Sequence, residues 1–242
     1  MNVALHHDPR TASQNTVPGH SKDFEDFIYL ISHDVRSSVR ALIEVPQWIS
    51  EDLTEAGQKI EGSLADNLDL MNTQTRRLDR MLTDLLVYSR IGRMQNVLSV
   101  DLAEAVDNVC QELVVPKSIQ LSVDLRQTQL NMGERDIMTL LTALLSNSIR
   151  HRDDRTTRIS LASSQEGDIC VMTFQDDGPG IAPQFRDRVF DAMTTLKSRD
   201  EAEGSGMGLA HVRKILDCCG GTLKWLDLPS ERGVGFELRF PN

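Results

Sequence analysis

The chain has 242 residues, 40% of them hydrophobic, and a formal net charge of -10. That length allows one large domain or two modest ones, and the hydrophobic share excludes global disorder. The acidic balance argues against direct nucleic-acid binding by the whole chain, although a local basic pocket can still hold a nucleotide.

Residues 1–21 are polar and aperiodic, with Pro9, Pro18 and Gly19, and read as a flexible tail. The pair His6-His7 in such a tail makes no metal site. A helix is predicted from Asp23 to about Glu55. Ile28, Ile31, Val35, Leu42, Val45 and Ile49 form its apolar seam. Pro46 lies inside this pattern, so a kink or break is expected there. A polar connection, Thr54 to Ser63, leads to a second helix from about Leu64 to Ile91. Its seam runs through Leu64, Leu68, Met71, Leu78, Leu82 and Leu85. Two such helices form an antiparallel hairpin whose leftover apolar stripe would be buried in a dimeric four-helix bundle.

Gly92 to Ser99 reads as a linker. Beyond it, helices are predicted at Leu102–Leu113, Arg135–His151 and Gly206–Cys218. Strands are predicted at Ile119–Val123, Arg158–Ala162, Ile169–Gln175, Gly221–Trp225 and Gly235–Phe240. Helices with mostly antiparallel strands in this order suggest a two-layer α/β sandwich. The expected division is 1–21 tail, 22–95 hairpin and 96–242 sandwich. No apolar run is long enough to span a bilayer and no signal-peptide core is visible, so the expectation is a soluble cytoplasmic protein. The four cysteines, Cys110, Cys170, Cys218 and Cys219, form no Cys-x-x-Cys pair and are expected to be buried reduced thiols.

Chemistry concentrates in four places. Ser32-His33-Asp34-Val35-Arg36-Ser37-Ser38 puts a histidine beside an acid on the outer face of the first helix. Neutral imidazole is a good nucleophile, and the acid can hold its other nitrogen. Asp176-Asp177-Gly178-Pro179-Gly180 follows a predicted strand. Gly204-Ser205-Gly206-Met207-Gly208 opens a predicted helix. Glycines let backbone amides approach phosphate, and a helix N-terminus adds free N–H groups. Neither run has P-loop or dinucleotide-fingerprint spacing. On the Arg135–His151 helix, Leu141, Leu144, Leu145 and Ser148 share one side and Asn147 lies on its border with Arg150. An amide oxygen there can ligate Mg²⁺, and the arginine can meet phosphate.

From about Asp23 onward the chain resembles the catalytic core of two-component sensor histidine kinases. His33-Asp34-Val35-Arg36 looks like that family's phosphoacceptor box. Asp84-Leu85-Leu86-Val87-Tyr88-Ser89-Arg90-Ile91 is similar to the usual end of its dimerisation helix. Asn147 matches the Mg²⁺-binding asparagine box, and Asp176, Gly178 and Gly180 match the first glycine box, whose aspartate reads the adenine amino group. Phe190 falls at the phenylalanine box, and Gly204, Gly206 and Gly208 match the second glycine box. The segment Leu196-Lys197-Ser198-Arg199-Asp200-Glu201 is similar to lids of phytochrome-type kinases.

The resemblance implies a dimerising helical hairpin followed by a sandwich of the gyrase-type ATPases, with ATP and Mg²⁺ as cofactors. It implies in-line transfer of the γ-phosphoryl to His33, with Asp34 orienting the imidazole and accepting its proton. Lys197 and Arg199 would neutralise phosphate, or form a solvated run of lid charge. The implied partners are a second copy of the chain and the receiver domain of a response regulator. No sensory domain fits in the tail, so input is expected from a separate sensor protein, unless the chain is a fragment. Departures are Ser37 for the usual Thr, Ser38 for Pro, Ala143 for a frequent asparagine and Gly235 for a frequent Thr. Ser37 keeps the hydroxyl associated with regulator dephosphorylation but loses the methyl that restricts its rotamer. Two alternatives stand beside the kinase. One is a phosphotransfer or phosphatase hairpin with a regulatory nucleotide-binding module. The other is a serine-kinase or anti-sigma module, against which the His33 hairpin argues.

Overall fold

The computed structural model describes residues 18–93, 95–196, 204–228 and 232–242. Two long helices open the chain, α1 (Pro18–Glu55) and α2 (Ser63–Arg90). They pair as an antiparallel hairpin and bury Ser32 and Val39 of α1 with Leu68, Leu82 and Leu86 of α2. Arg36 donates to Asp79 at 3.3 Å, and Arg93 meets Asp26 at 2.6 Å. The helix begins at Pro18, five residues before the predicted start. Proline suits a first helical turn because its missing N–H has no partner to lose there. Of the kink or break expected at Pro46, the break is absent: α1 runs through it with the proline buried, and the Ser50 hydroxyl donates to the Pro46 carbonyl at 2.7 Å. The predicted tail lies outside the described residues up to residue 17, as do His6 and His7.

Pairing uses only part of each apolar seam. Ile31, Val35, Leu42 and Ile49 of α1 and Leu64, Met71 and Leu78 of α2 remain at least 36% exposed. Phe27, Leu30, Trp48 and Leu70 add to the bare apolar surface. Contiguous exposure on this scale marks an interaction face rather than a finished surface.

The C-terminal half is a two-layer sandwich. Its five-stranded sheet has the order β2-β4-β5-β7-β6, with β2 (Gln120–Leu125), β4 (Arg158–Glu166), β5 (Ile169–Asp176), β6 (Thr222–Trp225) and β7 (Gly235–Pro241). The β2–β4 pair is parallel and the others are antiparallel. Strand alternation sends Leu161, Phe174, Phe236 and Phe240 into one core with α3 (Leu102–Glu112), α4 (Glu134–Arg150) and α5 (Gly208–Cys219). Ser160, Thr173, Gln175 and Glu237 alternate with them and stay outside that core.

A second sheet falls where a linker was expected. β1 (Leu98–Asp101) pairs antiparallel with β3 (Gln129–Met132), Leu98 opposite Met132 and Asp101 opposite Gln129. Asp101 then caps α3 by accepting from the Ala103 and Glu104 amides at 2.8 and 3.1 Å. β1 is exposed at Leu98 and Ser99 and only partly buried beyond them, so it carries no core-facing alternation for pattern to register. None of the four cysteines is in a disulfide. Cys170 is buried, and Cys110 and Cys219 are half-buried. Cys218 is exposed, against the expectation of burial, with its sulfur 3.9 Å from the Ile91 carbonyl oxygen at the end of α2. Burial pushes the Cys170, Cys110 and Cys219 thiols up from their ordinary value. Among the described residues, no helix is long and apolar enough to cross a membrane.

Candidate functional site

A cavity of about 350 Å³ opens between α4, the end of β5 and the start of α5. Asn147 and Arg150 reach it from α4, Asp176, Gly178 and Gly180 from the turn after β5, and Gly204, Gly206 and Gly208 from the segment entering α5. These eight residues, predicted separately from distant stretches, line one space. Burial along α4 explains the placement. Leu141, Leu144, Leu145 and Ser148 are buried, Asn147 is half-buried and Arg150 is exposed, so the last turn offers its polar flank to the cavity.

Asp176 anchors the wall. Its Oδ1 accepts from the Gly178 and Val234 amides, both at 3.0 Å, and its Oδ2 accepts from the Ser148 hydroxyl at 2.5 Å. The carboxylate therefore ties the end of β5 to α4 and to the entry of β7. Asp177 faces the other way. Partial burial disfavours its charged form, but hydrogen bonds from the Arg158 and Thr157 amides and the Thr157 hydroxyl outweigh this and hold its carboxyl below the usual range. At the rim, Arg232 donates to both Asp153 oxygens at 2.9 and 3.0 Å. The Thr156 hydroxyl and the Arg232 guanidinium hold the Asp153 carboxyl below its ordinary value.

The second glycine run is shaped by its surroundings. Gly206 has φ +74°, and a Cβ there would lie 2.5 Å from the Thr194 carbonyl oxygen. Only glycine fits a left-handed position with backbone that close. Gly204 lies against the Arg150 guanidinium. At Gly208 the chain enters α5, whose first N–H groups have no intrahelical partner and face the cavity end where an anion is favoured. Phe190 does not line the cavity. It is buried beneath it, with its ring edge toward Trp225 and Phe236.

His33, Asp34 and Ser37 are elsewhere, exposed together on α1. His33 Nδ1 lies 3.2 Å from Asp34 Oδ1, and their side chains are 70% and 83% exposed. With the proton on Nδ1 donated to Asp34, Nε2 keeps a free lone pair for attack. The His33 ring stacks on Tyr29 at 6.4 Å, and Arg90 of α2 caps Tyr29 at 5.2 Å. Lys197 and Arg199 lie outside the described residues.

A contact that local pattern did not reveal joins the two halves. Ser205, between two of the cavity glycines, donates to the Asp84 carboxylate of α2. His211 Nε2 lies 3.0 Å from the Asp84 carbonyl oxygen. Lys214 Nζ donates to the Tyr88 carbonyl at 2.7 Å and sits 4.3 Å from the Tyr88 ring centroid. Burial pushes the His211 imidazole down, Lys214 adds to this, and Asp84 opposes it.

Residues 132–242 match the family model described as "Histidine kinase-, DNA gyrase B-, and HSP90-like ATPase". The chain is 27% identical over 223 residues to the phytochrome-like protein Cph1 of Synechocystis, covering 90% of this chain and 29% of the relative. It is 30% identical over 225 residues to the methanogenesis regulatory histidine kinase FilI of Methanothrix harundinacea, covering 90% of this chain and 24% of the relative. These matches support a sensor histidine kinase catalytic core. The chain thus spans less than a third of the length of either relative. Its fold is also that of full-length ShkA, solved in complex with AMPPNP, with a TM-score of 0.66 at 18% identity over 90% of this chain and 46% of that one.

Proposed function

We propose that the chain is an ATP-dependent protein-histidine kinase, divided into a phosphoacceptor hairpin at 22–95 and a catalytic domain at 96–242. The observation that carries this is the single cavity gathering Asn147, Asp176 and both glycine runs, in a chain that also displays an exposed His33–Asp34 pair. Asp176 accepts from the adenine amino group. The glycine segments and the α5 N-terminus hold the phosphate chain, with Arg150 beside them.

Asn147 is the candidate Mg²⁺ ligand. Its neutral amide oxygen suits a hard cation, and among the described residues no cluster of three His, Cys, Asp or Glu residues forms a resident metal cage. The donor set therefore fits a metal whose other ligands are phosphate oxygens and water. When bound, Mg²⁺ supplies charge neutralisation on the phosphates.

In the transfer, His33 Nε2 attacks the γ-phosphorus, the bond to the β–γ bridging oxygen breaks, and ADP leaves with that oxygen. Asp34 takes the proton from Nδ1. The phosphoryl group then passes from Nε2 to an aspartate of a response-regulator receiver domain that docks beside His33. The bare apolar stripe of the hairpin is covered by a second copy of the chain, and input reaches it from a sensory element. The test is incubation with γ-labelled ATP and Mg²⁺. Acid-labile, alkali-stable label that disappears in His33→Ala supports the proposal. Nucleotide binding without label on His33 overturns it in favour of a phosphotransfer hairpin with a regulatory nucleotide module.

A further inference from the structure

Asp176 is almost filled before any ligand arrives. An ionised carboxylate offers about four lone-pair positions. The Gly178 and Val234 amides use the two on Oδ1, and the Ser148 hydroxyl uses one on Oδ2. One acceptor position on Oδ2 is left. The two amides fix Oδ1 as a pivot, about which Oδ2 could still swing. Ser148 closes that freedom from α4. Its side chain is in the cavity wall, the residue is only 7% exposed, and its 2.5 Å bond sets where the last lone pair points.

We propose that Ser148 is a positioning residue for base specificity: it aims the remaining Asp176 lone pair at the exocyclic amino group of adenine. The inference rests on the proposed adenine-nucleotide site and adds a residue to it. A purine that donates an N–H at this point is accepted. One with a carbonyl there sets acceptor against acceptor and leaves a buried polar group unpaired. The preceding residue, Asn147, lines the same cavity and is the proposed Mg²⁺ ligand, so the last turn of α4 would address both ends of one ligand.

The test compares ADP with purine riboside 5′-diphosphate, which lacks only the amino group, by calorimetry on the full chain. In Ser148→Ala, ADP affinity is expected to fall roughly tenfold, as for loss of a hydrogen bond to a charged group. Affinity for purine riboside diphosphate is expected to change less than about twofold, because its base makes no bond to Asp176. Ser148→Thr keeps the hydroxyl and should restore most of the discrimination. Alanine is a better helix former than serine, and a thermal melt verifies that the variant folds. Equal weakening of both ligands, or weakening of neither, overturns the role of Ser148. A wild-type chain that binds both diphosphates equally overturns the adenine reading of Asp176 itself, and one that binds neither overturns the nucleotide site.

Discussion

If a second copy covers the apolar stripe of the hairpin, as proposed, Leu42 sets a measurable part of the energy of that contact. It lies on the apolar seam of α1 and is 50% exposed in the single chain. Full burial of a leucine side chain contributes about 1.5–3 kcal/mol, so covering the exposed half contributes about 1 kcal/mol. A two-fold symmetric contact contains each residue twice. Leu42→Ala should therefore weaken the dimer by about 2 kcal/mol, roughly thirtyfold in Kd, before any cost of a cavity is added. Sedimentation equilibrium over a range of chain concentrations measures this directly. Val114→Ala, at a position 91% exposed on the loop after α3, is the control and should leave Kd unchanged. A wild-type chain that stays monomeric at high concentration, or an L42A variant that dimerises as tightly as V114A, refutes the reasoning.

Asp176→Asn makes the bonds from the Gly178 and Val234 amides neutral and puts an NH2 donor where Oδ2 accepts from the Ser148 hydroxyl. It should cost about 2 kcal/mol of stability in urea melts and lower ADP affinity at least about tenfold. An unchanged midpoint would contradict the anchoring role given to Asp176. Gly206→Ala combines a left-handed φ with a Cβ 2.5 Å from the Thr194 carbonyl, whereas Gly167→Ala has a similar φ of +61° and nothing within 4 Å. Thermal melts should show a loss of about 1–2 kcal/mol for Gly167→Ala, the backbone cost alone, and a larger loss for Gly206→Ala. Equal losses would remove the steric argument.

His211 gives a pH dependence with a definite sign. Its imidazole is held below the ordinary value of 6.5 in the folded chain, so the unfolded chain binds the extra proton first as pH falls. The stabilisation is complete above that ordinary value and is lost as pH drops through the lowered folded value. Asp84 and Lys214 are the charged groups facing it. Melts at stepped pH should show wild type losing more stability below pH 6.5 than His211→Gln, and parallel curves would disprove it.

The parts of the molecule legible in the sequence are those governed by local repetition. Helical spacing over many residues located α1, α2 and α4, and turn-forming glycines located both edges of the cavity. Local pattern does not register the pairing of two short strands distant in the chain, so β1 begins inside the predicted linker and β3 falls where no element is predicted. The Pro46 break was expected because a missing N–H is a local defect. The helix continues because α1 packs along α2 with Pro46 itself buried, and tertiary packing outweighs one lost bond.

The candidate site divides in the same way. Asn147, Asp176 and the glycines, which line one cavity, are readable because each has a residue type whose own chemistry points to nucleotide binding. Ser148 and Ser205 were not, because a serine on a helix or in a glycine run has no distinguishing local signature. Their roles come from partners 28 and 121 residues away in the chain. Ser205 is the more consequential of the two for the chain as a whole. Its backbone belongs to the glycine segment beside the cavity, and its hydroxyl is bonded to Asp84 on α2 of the helical hairpin. Any ligand that shifts this segment must also act on the contact with α2, and by linkage any force on α2 must act on ligand affinity to the same extent.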